Sequence, residues 1–230
     1  MDIKAIFFDT SNTLYSSLDL EEIMEAAPIN FIMKQKMVSE DEALNIFENA
    51  KNNARDKGVL LTKTNILVEA GFSNSDFQDF NATINTDSYL SPIKENVDTL
   101  TFLSSKCSLG VITNINNRFL QNVLRSLGLS DNLFSYFVTS DDVSKSKPDP
   151  EPFLMAIKKA NLEPEQILYV GDQVKKDMEP AKKVGMKTVL VDYKNQYNNF
   201  DETIVDYCIN SLVELRNIID IQNTNEVKIL

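Results

Sequence analysis

The chain has 230 residues, 43% hydrophobic and 25% charged, which is ample for a packed core and argues against wholesale disorder. Its 23 Lys and Arg against 34 Asp and Glu leave a formal charge of −11, which argues against wrapping nucleic acid or lying on an anionic membrane. The chain has no His, which removes Ser-His-Asp catalysis, Cys-His catalysis and His-ligated zinc together.

Residues 3–8 (IKAIFF) read as a short buried strand, ended abruptly by the polar run DTSNT. From about 18 to 86 the apolar residues recur at three-to-four spacing and predict helices over LDLEEIMEAAPINFIMKQKM, SEDEALNIFENAKNNARDKG and a third stretch near 62–71. Ser39, with Asp41 and Glu42 behind it, marks a helix start, and Gly58 a stop. From about 94 helices and strands alternate: helix 94–106, strand 108–113, helix 117–127, a short strand near 135–139, helix 151–160 and strand 166–171. Helix 175–184, strand 187–191, strand 204–209 and helix 211–220 follow. The polar stretch Lys194 to Asn199 reads as a loop with no assignable role.

Apolar strands alternating with helices predict an α/β fold with a doubly wound parallel sheet, covered on both faces. The helical block after the first strand is then an all-helical insertion at the edge where such sheets bind ligands. The expected domains are a core of 1–16 and 89–230 and a cap of 17–88. Cys107 and Cys208 sit in apolar surroundings and read as reduced core residues of a cytoplasmic protein, with a disulfide as the alternative. The first nine residues lack the basic start and apolar run of a signal peptide, and no run approaches the length of a membrane span.

Four polar clusters fall at the carboxyl ends of predicted strands: Asp9 with Ser11 and Thr13, Thr113 with Asn114, Lys147 in SKPDP, and Asp172 with Asp177. Each alone has a plain structural reading. Asp9 fits a turn, Thr113-Asn114 a helix cap, Asp149 an N-cap before Pro150, and the Asp172/Asp177 pair a solvated helix start. Together they supply what phosphoryl transfer to a carboxylate needs. Carboxylate oxygens suit Mg²⁺, and a metal and a lysine cancel charge so that one anion can approach another.

The order FFDTSNTLY, VITN, KPDPEPF and YVGDQVKKDMEPAKKVGM resembles the haloacid dehalogenase superfamily of hydrolases, across roughly 1–16 and 90–212. The resemblance implies a Rossmann-like core with a helical cap over 17–88. It implies that Asp9 is a nucleophile forming an aspartyl-phosphate. Asp9, the main-chain carbonyl of Ser11 and Asp172 match the Mg²⁺ ligands. Asp177 completes the metal site as the acid that positions bound water or the lysine. Thr113 and the Asn114 amide match the phosphate binders, and Lys147 the cation that bridges nucleophile and phosphate.

One departure divides the readings. The superfamily's phosphatases carry a second Asp as leaving-group acid where this chain has Ser11, and Asn12 stands in the place of a glycine. Losing such an acid costs about 10²–10⁴ in rate. The first expectation is a Mg²⁺-dependent phosphatase of a small phosphorylated metabolite, with weakened acid–base help from Ser11. The alternatives are a non-catalytic binding protein on the same fold and a haloacid dehalogenase. No nucleic-acid or membrane partner is expected, and the oligomeric state is not assigned. Lys51, Asn53 and Arg55 are candidate specificity residues of the cap, or else a solvated helix face. Phe31, Phe47 and Phe72 read as cap packing.

Overall fold

The computed structural model describes residues 2–197 and 200–224. Ser17–Tyr89 forms one compact unit, and the chain through Ser16 and from Leu90 onward forms another. The expected strand at the start is β1 (Ala5–Phe8), buried throughout.

The Ser17–Tyr89 unit is helical: α1 (Leu18–Lys36), α2 (Glu40–Asp56), α3 (Lys63–Glu69) and α4 (Asn74–Asn81). The expected start at Ser39 is a full capping box, in which Ser39 Oγ accepts the Glu42 N–H and the Glu42 side chain accepts the Ser39 N–H. Just beyond α2, Gly58 takes a φ of 68°, which only glycine adopts without strain. Phe31 centres an aromatic core, with the rings of Phe72, Phe77 and Phe80 at 5.4, 5.4 and 5.6 Å. Phe47 packs on the same cluster. The periodicity had not separated α4 from the rest, because Asn74–Asn81 is polar apart from Phe77 and Phe80.

The other unit is a six-stranded parallel sheet. Its strands are β1, β2 (Ser108–Ile112), β3 (Tyr136–Val138), β4 (Ile167–Gly171), β5 (Lys187–Val191) and β6 (Tyr207–Ile209), in the order β3-β2-β1-β4-β5-β6. Helices α5 (Lys94–Ser104), α6 (Asn117–Ser126), α7 (Glu151–Ala160), α8 (Glu179–Lys183) and α9 (Leu215–Thr224) connect and follow the strands. The doubly wound α/β fold expected from the sequence is the fold observed. Gly110 in β2 faces Phe7 in β1. A Cβ there would collide with the Phe7 ring, so the glycine makes room for this aromatic side chain of the neighbouring strand.

Several boundaries differ from expectation. β6 begins at Tyr207, not 204, because Thr188 Oγ1 donates to the Ile204 carbonyl at 2.6 Å and the Asp206 carboxylate accepts the Thr188 N–H at 2.9 Å. Side chains, not ladder bonds, hold that approach. The expected helix 175–184 opens as a wider π-type turn over Val174–Met178 before α8 begins. The cap of α7 falls at Pro150, although Asp149 Oδ1 still accepts the Glu151 N–H at 3.0 Å.

Cys107 and Cys208 are both free thiols, half-buried. Burial pushes the Cys107 thiol up to about 12. No helix among the described residues is long and apolar enough to cross a membrane. Asn198 and Asn199, at the end of the polar loop after β5, lie outside the described residues.

Candidate active site

In this strand order the chain winds outward from β1 to β3, then crosses back to β4 beside β1. The crevice at the carboxyl ends of β1 and β4 is the switch point, where doubly wound sheets bind ligands. Asp9 follows β1, with its N–H donated to the Val170 carbonyl at 2.8 Å. Asp172 follows β4 directly. Thr113 follows β2, with its N–H held by the Val138 carbonyl at 2.9 Å. Lys147 lies in the loop after β3.

The fold brings these residues together around Lys147. Lys147 is 1% exposed, and its ammonium sits 2.8 Å from Asp9 Oδ1 and 2.7 Å from Asp177 Oδ1. Burial works against this charge, but Asp177 and Asp9 outweigh it and hold the lysine above its ordinary value. Asn114 holds the lysine's backbone: its side-chain amide donates to the Lys147 carbonyl at 3.0 Å and accepts the Lys147 N–H at 2.9 Å. The Asn114 side chain is thus spent on Lys147, and the cap of α6 is Asn116, which accepts the Phe119 N–H at 2.8 Å.

Asp177 is fully buried, and each of its oxygens has a protein partner. Oδ1 accepts from Lys147 and from the Tyr169 hydroxyl at 2.9 Å, and Oδ2 accepts the Gln173 N–H at 3.2 Å. The wide turn over Val174–Met178 delivers this side chain inward. A Cβ at Gly171 would lie 2.8 Å from the Asp177 Cβ, which explains the glycine there.

Asp172 is different. Its Oδ1 is buried and has no hydrogen-bond partner. Burial first, then the charges of Asp9 and Asp177, pushes its carboxyl up to about 7. One carboxylate oxygen each from Asp9, Asp172 and Asp177 lies within 4.8 Å of the others. An all-oxygen donor set with one orphaned buried oxygen fits a hard divalent cation such as Mg²⁺.

Three contributors escaped the sequence reading. Tyr169 donates to Asp177, lies 2.8 Å from Lys147 Nζ, and packs edge-on against Phe153 at 5.0 Å. Burial, then Asp177 and Asp9, pushes its phenol well above the ordinary tyrosine value, so it stays a neutral donor. A hydroxyl inside a strand covered on both faces must find a partner, and that was the signal available in QILYVG. Thr10 Oγ1 lies 2.9 Å from Thr113 Oγ1. Ser11 Oγ lies 2.9 Å from the Tyr15 hydroxyl across a turn in which Asn12 takes a φ of 55°, as an Asn in a glycine's place allows.

A cavity of about 210 Å³ adjoins Asp172, lined by Asn12, Ser16, Gln173, Tyr193 and Tyr197 among others. Of the helical unit's candidates, Lys51 pairs with Glu48 at 2.9 Å and Arg55 donates to Asn52 at 3.1 Å, both along their own helix.

A doubly wound parallel sheet with a buried carboxylate–lysine cluster at its switch point defines the class of fold and site. The chain belongs to the haloacid dehalogenase-like hydrolase family, whose model matches residues 6–191. The chain is 33% identical over 227 residues to the glyceraldehyde 3-phosphate phosphatase of Methanocaldococcus jannaschii, covering 94% of this chain and 97% of that protein. The crystal structure of a HAD phosphatase from Thermococcus onnurineus superposes with a TM-score of 0.62 at 26% identity, covering 94% of this chain and 97% of that one. A 2-haloacid dehalogenase from Pseudomonas syringae shares the fold with a TM-score of 0.66 at 23% identity, covering 96% of this chain and 99% of that one.

Proposed function

We propose that the protein is a Mg²⁺-dependent phosphatase that cleaves a small phosphate ester through an aspartyl-phosphate on Asp9. The observation that carries this reading is the Lys147 ammonium bridging Asp9 and Asp177 at 2.8 and 2.7 Å, beside the partnerless oxygen of Asp172. The Thr113 hydroxyl, the Asn114 main-chain N–H and Lys147 bind the phosphate oxygens. The Asp9 carboxylate attacks phosphorus as the bond to the leaving oxygen breaks. Water then cleaves the acyl phosphate and restores Asp9. Mg²⁺, held by Asp9, Asp172 and the Ser11 carbonyl, supplies the positive charge that offsets anion–anion repulsion. Asp177 positions Lys147. The helical insertion 17–88 acts as the cap domain that selects the substrate.

Similarity over 97% of a phosphatase of glyceraldehyde 3-phosphate supports three-carbon phosphates as the first substrates to try. The test is Mg²⁺-dependent phosphate release across a panel of small phosphate esters that includes glyceraldehyde 3-phosphate and p-nitrophenyl phosphate. Turnover that chelator removes and Asp9→Asn abolishes is expected. Halide release from a 2-haloacid, with no phosphate release from any ester, would replace this reading by the dehalogenase one.

A further inference from the structure

Resting on that reading, we propose that Tyr15 and Ser11 form a two-hydroxyl relay that gives the leaving oxygen its proton. Expelling an alkoxide from an alkyl phosphate is slow unless a proton reaches the oxygen as the bond breaks. The groups around Asp9 that carry a proton are mostly committed. The Lys147 ammonium is held by Asp9, Asp177 and the Tyr169 hydroxyl. The Tyr169 hydroxyl donates to Asp177. The Thr10 and Thr113 hydroxyls lie 2.9 Å apart and bond each other, so both are already engaged.

Ser11 is left, two residues past the nucleophile and half-buried. Serine alone is a poor acid, because an aliphatic hydroxyl gives up its proton reluctantly. Its Oγ, however, lies 2.9 Å from the phenol of Tyr15, which is 5% exposed. A phenol releases a proton far more readily than an alcohol. The backbone fixes this pair: Ser11 and Tyr15 form a β-bridge, the Leu14 N–H donates to the Thr10 carbonyl at 2.9 Å, and Ser16 Oγ donates to Asn12 Oδ1 at 2.9 Å.

The step balances. As the Asp9–phosphorus bond forms and the ester P–O bond breaks, Ser11 passes its proton to the leaving oxygen and takes the Tyr15 proton, leaving a phenolate. In the second half water attacks phosphorus, the Asp9–phosphorus bond breaks, and the water's proton passes to Ser11 and Ser11's to Tyr15. The net change is ester and water to alcohol and phosphate.

The experiment compares kcat/KM, which covers the steps up to departure of the leaving group, for two esters. One is the best alkyl phosphate of the panel. The other is p-nitrophenyl phosphate, whose nitrophenolate leaves without a proton. Tyr15→Phe is expected to lower kcat/KM about 10²-fold on the alkyl ester and to spare p-nitrophenyl phosphate. Ser11→Asp supplies an acid directly, so Tyr15→Phe in that background should cost nothing further on either ester. Equal losses on both esters, or an alkyl-ester loss that persists beside Ser11→Asp, overturn the relay. Turnover of p-nitrophenyl phosphate with no alkyl phosphate accepted overturns the relay and leaves the phosphatase reading standing. Turnover of neither ester removes that reading and the relay with it.

Discussion

Lys147 concentrates the electrostatics of the site in one buried ammonium. Replacing it with Met leaves Asp9 and Asp177 facing each other without a cation, and breaking a buried pair costs about 3–5 kcal/mol. Lys147→Met is therefore expected to lower the urea midpoint sharply and to abolish phosphate release. Tyr169→Phe keeps the ring against Phe153 and deletes only the hydroxyl that Asp177 and Lys147 share. Hydrogen bonds to charged groups are worth about 1.5–3 kcal/mol. A stability loss of that size in urea unfolding, with reduced kcat, is the expected result, and an unchanged kcat would show that the phenol does not set the lysine's position. Asp9, Thr113 and Asp172 were legible in the sequence as abrupt polar switches at strand ends, and Asn114, Lys147 and Asp177 as the polar residues of the loops that follow. Tyr169 was not legible because an aromatic residue in an apolar run reads as packing. Tyr15 was not legible because its meeting with Ser11 depends on the left-handed turn at Asn12.

At the next level up, the strand ends do the positioning and the turns after them decide the chemistry. The strand–helix alternation was legible almost throughout, because strands buried on both faces leave unbroken apolar runs. What periodicity missed lies where side chains replace ladder bonds, as at Asp206 before β6, or where a helix starts irregularly, as in the wide turn carrying Asp177. Gly171→Ala tests that turn. Its Cβ would stand 2.8 Å from the Cβ of Asp177, so Asp177 must move and release Lys147. The expected outcome is a stability loss of about 1–3 kcal/mol, typical of overpacking, together with a large fall in kcat. Asn116→Ala is the contrasting case. It removes the cap of α6 without touching the cluster, so it should cost about 1 kcal/mol in thermal or urea unfolding and leave kcat unchanged.

Across the whole molecule, a chain of net charge −11 gathers three carboxylates at one sheet edge, and this couples folding to pH and to cations. Burial and the neighbouring carboxylates push Asp172 up to about 7, above the value of about 3.9 for an unfolded Asp. The folded state then binds this proton more tightly than the unfolded state does. Its contribution to stability is present at low pH and is lost as pH rises from about 4 through about 7. A cation competes with that proton. The metal-free protein should therefore lose melting temperature between pH 5 and pH 7.5, and Mg²⁺ should restore more of it at pH 7.5 than at pH 5. The same restoration at both values would mean that Asp172 does not hold the cation.

The central claim is that Asp9 carries the phosphoryl group. Rapid-quench peptide mapping during turnover, with and without Mg²⁺, tests it directly. The account predicts a phosphate on Asp9 that forms with Mg²⁺, decays as product appears, and is missing in Asp9→Asn. Steady phosphate release with Asp9 unmodified at every quench time would contradict it.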